Sequence, residues 1–531
     1  MKKIFRIFLF STLALSAVSC EQFLDINDNP NQATASSPQQ VLPNALTVTA
    51  ANLVSYNDYG AWHVGYVVNA GGFGGWGTQW TYNYTTSTYS GLWSSTYDNL
   101  EDYDYIEEQS EDNEVLAYYN AIAKIMKAYN FQMLVDTYGD IPYSEALSGT
   151  ENLTPKYDDA ETIYQDLVAQ IDAAISMIDN SEANAIATGD VMFNGDMERW
   201  KEFANTVKLR ILIRASRKPI AGNSQTPEWV TAGFASFGAE TVFLTDDAIV
   251  NPGYAATTGK QNPFWDYYHL TSANATTSAG RSRIPSEYVF SFYNGGKIDD
   301  PYRGDVTYRS FPSTPTNQLG ISPGDGEDLA PTGTIAWYVG SGTGASASNT
   351  VGLFKGRTAG TPIFLAAESY LLQAEANVRG FLAGDAKTTF ENGITNSFRY
   401  LYKGADNAVD SDLDPEEDAA AYIADNTNNY LVSFDAATTF DQKIEAIITQ
   451  KYIALNMMFG AEAWNEYRRT GYPSISGNAG NTTFASTQST STRADRLPTR
   501  ILYPATEYSF NPNNIPADIN QFTSRIFWDV D

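Results

Sequence analysis

The stretch Gly74 to Tyr84 reads Gly-Gly-Trp-Gly-Thr-Gln-Trp-Thr-Tyr-Asn-Tyr, which sets Trp76, Trp80, Tyr82 and Tyr84 among small and hydrogen-bonding residues. A sugar ring has an apolar C–H face fringed by hydroxyls, so a site that holds one needs aromatic plates beside amides or carboxylates. Gln79 and Asn83 are placed to supply that fringe, and the segment is a candidate ligand-binding site. A second candidate, Asn262-Pro263-Phe264-Trp265-Asp266-Tyr267-Tyr268-His269, sets the rings of Trp265, Tyr267 and Tyr268 beside polar groups. For both clusters the plain alternative is rings that dock a loop onto the body. Arg281, Arg283 and Arg303 follow, with guanidinium forks able to hold an acidic sugar or a peptide carboxylate. In so acidic a chain the commoner use of such groups is pairing with Asp or Glu.

Catalytic chemistry has little to work with. His63 and His269 are the two histidines, no His-Glu-x-x-His zinc pattern occurs, and Cys20 is the single cysteine. No catalytic residue, metal site or cofactor is therefore assigned. Gly72-Phe73-Gly74-Gly75-Trp76-Gly77 formally fits a dinucleotide fingerprint, but that fingerprint needs a helix opening at the glycines, and Thr78 to Asn83 shows no helical stripe. Asp410, Asp412 and Asp414 resemble part of a calcium loop, with Pro415 where the sharp-turn glycine belongs, and read better as a solvated run before a helix. Two carboxylates flanking a sugar remain the enzymatic alternative, a lipid-anchored glycoside hydrolase.

The N-terminus places the protein. Lys2, Lys3 and Arg6 precede an apolar run from Ile7 to Val18, the pattern of an export signal over residues 1–19 and shorter than a membrane span. Leu15-Ser16-Ala17-Val18-Ser19-Cys20 resembles a lipobox, with Ala17 where Leu is usual, so Cys20 is the expected lipidation site. Residues 20–42 then read as a lipidated tether and 43–531 as one body. The formal charge of −29 becomes more negative once the signal leaves, which disfavours nucleic acid as a partner and limits membrane contact to the lipid anchor.

Periodicity fills the body with helices. Val115, Tyr119, Ile122, Met126, Tyr129 and Met133 form one stripe, and Tyr164, Leu167, Ile171, Ala174 and Ile178 another, with Asp158 or Asp159 as its cap. Further helices are predicted from Met197 through Ala215, from Ile363 to Val378 and from Ile444 to Met458. Between the first two, Gly139 closes a helix and Pro142 blocks its continuation. Regions 59–93 and 218–360 are rich in Gly, Thr, Ser and aromatic residues and read as long loop-rich insertions with short strands, where ligand contacts concentrate. The fold class expected is mainly α, with tetratricopeptide-like helical hairpins.

Several segments carry a family resemblance. Phe23-Leu24-Asp25-Ile26-Asn27, Asp136 through Ala146 (DTYGDIPYSEA), Trp200 through Thr206 with Lys208-Leu209-Arg210, Ala367 through Ala376, Ala463 through Pro473, and Arg500 through Pro504 with Glu507 resemble the SusD/RagB outer-membrane lipoprotein family in order and spread. The resemblance implies a SusD-like α/α superhelix on the cell surface of a Bacteroidetes-like bacterium, anchored in the outer membrane by lipid. It implies an oligosaccharide ligand, or a peptide in the RagB-like branch, and delivery to a SusC-like TonB-dependent outer-membrane transporter. The matched motifs are expected to be architectural, with Trp200, Trp464, Arg210 and Arg468 packing and pairing between helices.

Overall fold

The structure is a computed structural model, and it describes residues 36–186, 188–321, 335–338 and 351–529. Cys20, the export signal and the Phe23–Asn27 motif lie outside the described residues. The long helices are α1 (Pro38–His63), α2 (Gly91–Ser110), α3 (Ala117–Tyr138), α4 (Ala160–Asn180), α5 (Met197–Ala215), α6 (Ala366–Val378), α7 (Ala386–Tyr402), α8 (Pro415–Asp425), α9 (Phe440–Ala454) and α10 (Gly460–Thr470).

Local chemistry sets their ends. The Asp159 carboxylate caps α4 by accepting the Thr162 N–H at 2.9 Å, and Asp196 caps α5 by accepting those of Glu198 and Arg199 at 3.1 and 3.2 Å. The expected stripe of α4 is buried along its length. Gly139 closes α3 at φ 76°, a left-handed angle that a side chain would strain.

Three boundaries depart from expectation. Pro38 takes the first position of α1, where its missing N–H costs nothing, and the Ser37 N–H donates to Gln40 Oε1 at 3.0 Å. The body thus starts ahead of residue 43, and Leu42 is buried in the core rather than lying on a tether. At its other end α1 runs through Tyr59 to His63, so the first insertion begins only after it. Thr361–Phe364 form a strand, so the helix predicted from Ile363 starts at Ala366. Val115 is exposed in a short 3-10 turn, outside the buried stripe of α3.

Each helix from α1 to α4 packs on its successor, α6 packs on α7 and α9, and α7 on α8. The fold is accordingly mainly α, a run of helical hairpins. Contacts of α5 with α6, and the return of α10 onto α1, join the two halves. The α1–α10 crossing is a backbone contact: a Cβ on Gly60 would lie 2.0 Å from the carbonyl carbon of Gly460. Asn57 Oδ1 accepts the Gly460 N–H there at 2.9 Å, and Trp464 stacks on His63 with 5.0 Å between centroids.

Strands are few. Val68–Asn69 (β1) pairs with Arg283–Ile284 (β5), Ile141–Pro142 (β2) with Tyr157–Asp158 (β3), and Ala248–Val250 (β4) with Thr361–Phe364 (β6), all antiparallel.

The family-like motifs turn inward. Asp136, at the end of α3, accepts from Arg214 at 2.5 Å, from the Trp528 indole at 3.0 Å and from the Tyr164 hydroxyl. Arg214 also reaches Glu462 and, at 3.1 Å, Glu466, while Arg469 binds Glu375 at 2.7 Å and Glu466 at 2.5 Å. Lys451 lies 3.3 Å from both Glu368 and Glu462. Burial alone would raise the pKa of Glu466, but the charges of Arg469, Lys451 and Arg214 hold it far below the carboxylate range. Arg210 lies over Tyr129 and Phe364, and Arg468 over Trp464 and Trp528. These residues join helices to one another and leave no charge there for an outside ligand.

Candidate ligand-binding site

The β1–β5 pair brings the two predicted clusters together. Asn69 stands opposite Arg283 in that ladder, so the loop that follows β1 and the insertion around β5 meet at the C-terminal end of α1. Arg283 is the hub. Its guanidinium carbon lies 5.4 Å from the Trp62 ring, 6.0 Å from Trp76, 5.5 Å from Tyr267 and 6.0 Å from Tyr268. Its Nη2 binds Asp58 Oδ1 at 2.9 Å and donates to the Tyr267 hydroxyl at 3.1 Å.

Asp58 also accepts from the Tyr268 hydroxyl at 3.3 Å, and Asn57 donates to that hydroxyl at 3.1 Å. Burial disfavours the charge on Arg283, but the Asp58 carboxylate, together with Tyr267 and Tyr268, outweighs it and holds the arginine above its ordinary pKa. The charge at the hub is therefore fixed.

Around the hub lie half-buried rings. Trp76 packs on Trp62 at 5.1 Å, Phe73 lies 5.8 Å from the Arg281 guanidinium, and Tyr267 is 38% exposed. Gln79 lies near Tyr89, whose hydroxyl is pushed up in pKa by burial and by the nearby Asp58. The face can thus present apolar plates together with Asp58, Gln79 and tyrosine hydroxyls, the inventory suited to an oligosaccharide.

Several predicted contacts move inside. Tyr82 and Tyr84 are buried: Tyr82 stacks on His63 and accepts the Ser486 N–H at 3.2 Å, and Tyr84 bonds His63. The left-handed turn at Tyr82 (φ 55°) starts a short extended run in which 82 and 84 face the core and Asn83 faces solvent. Trp265 and Tyr268 share the inner side of the one-turn helix Pro263–Tyr268, and Tyr267 lies on its outer side. Those four rings are framework. Trp80 is half-buried, with its indole N–H spent on Asn69 Oδ1 at 3.0 Å.

A short helix does form over Gly77–Thr81, contrary to the expectation of none. It fails as a dinucleotide cradle for another reason: β1 belongs to a two-stranded antiparallel pair, with no parallel sheet behind it among the described residues. Asp58, Trp62 and Tyr89 were missed because a helical stripe and a polar loop give no sign of facing a distant strand. Of the three arginines singled out, Arg283 pairs with Asp58 and Arg303 is buried on Asp300 at 2.6 Å. Asp410 and Asp412 lie exposed in the run that leads to Asp414, the N-cap of α8, and no cluster of three or more metal-binding side chains occurs among the described residues.

Both histidines are buried and neutral. The Tyr59 carbonyl, 2.6 Å from His63 Nδ1, can only accept, so the proton sits on Nδ1 and Nε2 takes the Tyr84 O–H. Burial, aided by repulsion from Arg468, depresses His63 to about 3, and burial with Arg309 and Arg357 depresses His269 to about 3. The unfolded chain binds these protons near pH 6.5 and the folded chain does not. Stability is therefore full above pH 6.5 and falls, by about 1.4 kcal/mol per pH unit per histidine, as the pH drops toward 3. Ring resonances of both histidines should stay neutral between pH 7 and 5 while the denaturation midpoint falls. Titration of either ring near its ordinary pKa would contradict this.

The fold and this face define a class: a helical scaffold whose charged motifs lock its interior and whose loops turn one aromatic patch outward. Residues 30–271 match the family model described as starch-binding associating with outer membrane (SusD-like), and residues 345–529 match that of the SusD and RagB outer membrane lipoproteins. The chain belongs to the SusD-like family of outer-membrane lipoproteins. No curated protein sequence matches it.

Solved structures share the fold. A SusD homolog from Bacteroides fragilis is 22% identical with a TM-score of 0.64, covering 93% of this chain and 99% of its own. A chitin-binding SusD homolog from Flavobacterium johnsoniae is 21% identical with a TM-score of 0.65, covering 92% and 99%. One from Parabacteroides distasonis is 19% identical with a TM-score of 0.69, covering 93% and 98%. Among the described residues no helix is long and apolar enough to cross a membrane.

Proposed function

We propose that this protein is a surface lipoprotein, anchored through Cys20, that captures a nutrient oligosaccharide at the Arg283-centred aromatic face and passes it to a SusC-like TonB-dependent transporter without breaking a bond. The observation that carries the reading is the convergence of Trp76 and Tyr267, from loops far apart in sequence, on the one polar hub of Arg283, with Tyr267 reaching the surface. The matched family descriptions, with their starch-binding and outer-membrane terms, and the chitin-binding relative support a glycan over the RagB-like peptide. Asp58 is spent on Arg283 and Tyr268 and so is poorly placed to act as a hydrolytic acid.

The test incubates the mature protein with mixed glycans. Calorimetry should show saturable, reversible binding, and mass spectrometry should recover every oligomer at its original length. Shortened products would favour the glycoside hydrolase, and binding of peptides alone would favour the RagB-like alternative.

A further inference from the structure

We propose that the aromatic face recognises an acidic sugar unit, with the Arg281 guanidinium taking its carboxylate or sulfate ester. This rests on the glycan-binding reading above and narrows the substrate class.

The argument starts from what the other arginines do. Among the described residues, every arginine except Arg281 has a hydrogen bond or an ion pair to spend its charge on; even the half-buried Arg496 holds Asn478 at 3.1 Å and the Thr487 carbonyl at 2.9 Å, and Arg399 holds Glu416. Arg281 has only the Phe73 ring, 5.8 Å from its guanidinium carbon. In a chain with 62 acidic residues against 33 basic ones, a guanidinium without a carboxylate is the unusual outcome.

Its surroundings keep it available. Phe73 flanks the guanidinium on the ring side, and the Arg281 Nε is buried without a partner. Both outer nitrogens are thereby left to act as a fork, the geometry that matches a planar carboxylate or two sulfate oxygens. Trp76 stands three residues along the same loop from Phe73, so an acid held by Arg281 would belong to a sugar lying on the aromatic plates.

The strongly negative charge of the protein does not forbid this. Exposed charges are screened beyond roughly 8 Å at physiological salt, and the nearby carboxylate Asp58 is neutralised by Arg283 at 2.9 Å.

The experiment measures binding of the mature protein to a panel of uronate and sulfated oligosaccharides, each beside its carboxyl-reduced or desulfated counterpart, with a set of peptides alongside. We expect acidic forms to bind at least about tenfold more tightly than their neutral partners, less so in high salt, because a charge-assisted fork is lost with the acid. Arg281→Gln should erase that preference and leave the neutral forms as they were, and Arg281→Lys should restore only part of it. Arg281→Gln should melt as wild type does, since the side chain holds nothing in the fold. Equal binding of acidic and neutral forms, or a preference that survives Arg281→Gln, overturns the inference and leaves glycan binding standing. Preferential capture of peptide carboxylates, or a panel on which no glycan binds, overturns both.

Discussion

Replacing Arg214 with methionine is expected to destabilise the body by about 3–5 kcal/mol, because it strands carboxylates that have no water to turn to. Arg214 is fully buried and bonds Asp136, Glu462 and Glu466, from α3 and α10, while itself standing on α5. Methionine fills the volume but supplies no charge. Burial already raises the pKa of Asp136, with Arg214 the main opposing influence, so its loss leaves that carboxylate the most exposed to penalty. A second change, Asp136→Asn, should recover part of the loss by removing the stranded charge, whereas Glu466 keeps Arg469 and Lys451. The partly exposed pair Arg217–Glu161, 3.3 Å apart, serves as the contrast: Arg217→Met should cost no more than about 1 kcal/mol. Urea denaturation of the three variants measures this. A loss below about 1 kcal/mol for Arg214→Met would show that the network merely fills space.

The second large effect concerns binding. Trp76→Ala with Tyr267→Ala should weaken glycan affinity by on the order of 100-fold, since aromatic anchors at a binding face carry about 1.4 kcal/mol, or tenfold, each. Both rings flank Arg283, and neither donates a hydrogen bond that the fold depends on. Tyr82→Phe is the matched control: that ring is buried against His63, and its loss of one hydroxyl should leave affinity unchanged. An isotherm unaltered by the double change would remove the face from the binding site, and a loss in Tyr82→Phe would point instead to indirect damage through the core.

Much of the scaffold could be read from residues alone. The buried stripe of α4, its Asp159 cap and the break at Gly139 follow from periods of three and four and from backbone chemistry within a few residues. The aromatic clusters around Trp76 and Tyr267 were equally visible, because rings among glycines and amides stand out locally. Which ring faces out was not visible. Tyr267 and Tyr268 are adjacent and chemically identical, yet one is 38% exposed and the other buried, a choice made by the single helical turn and by Asp58 on a helix more than two hundred positions earlier.

What the sequence determined by itself was the helical class, the anchor expectation at Cys20, the family, and two candidate loops. Tertiary structure decided the rest: that β1 and β5 bring those loops to one hub, that Tyr82, Tyr84, Trp265 and Tyr268 are framework, and that Arg281 alone of its neighbours keeps its charge unspent. The reason is range. Caps and stripes depend on forces that act within a turn or two of the chain, whereas exposure and pairing depend on which distant surfaces close on one another, as the backbone contact of Gly60 with Gly460 shows.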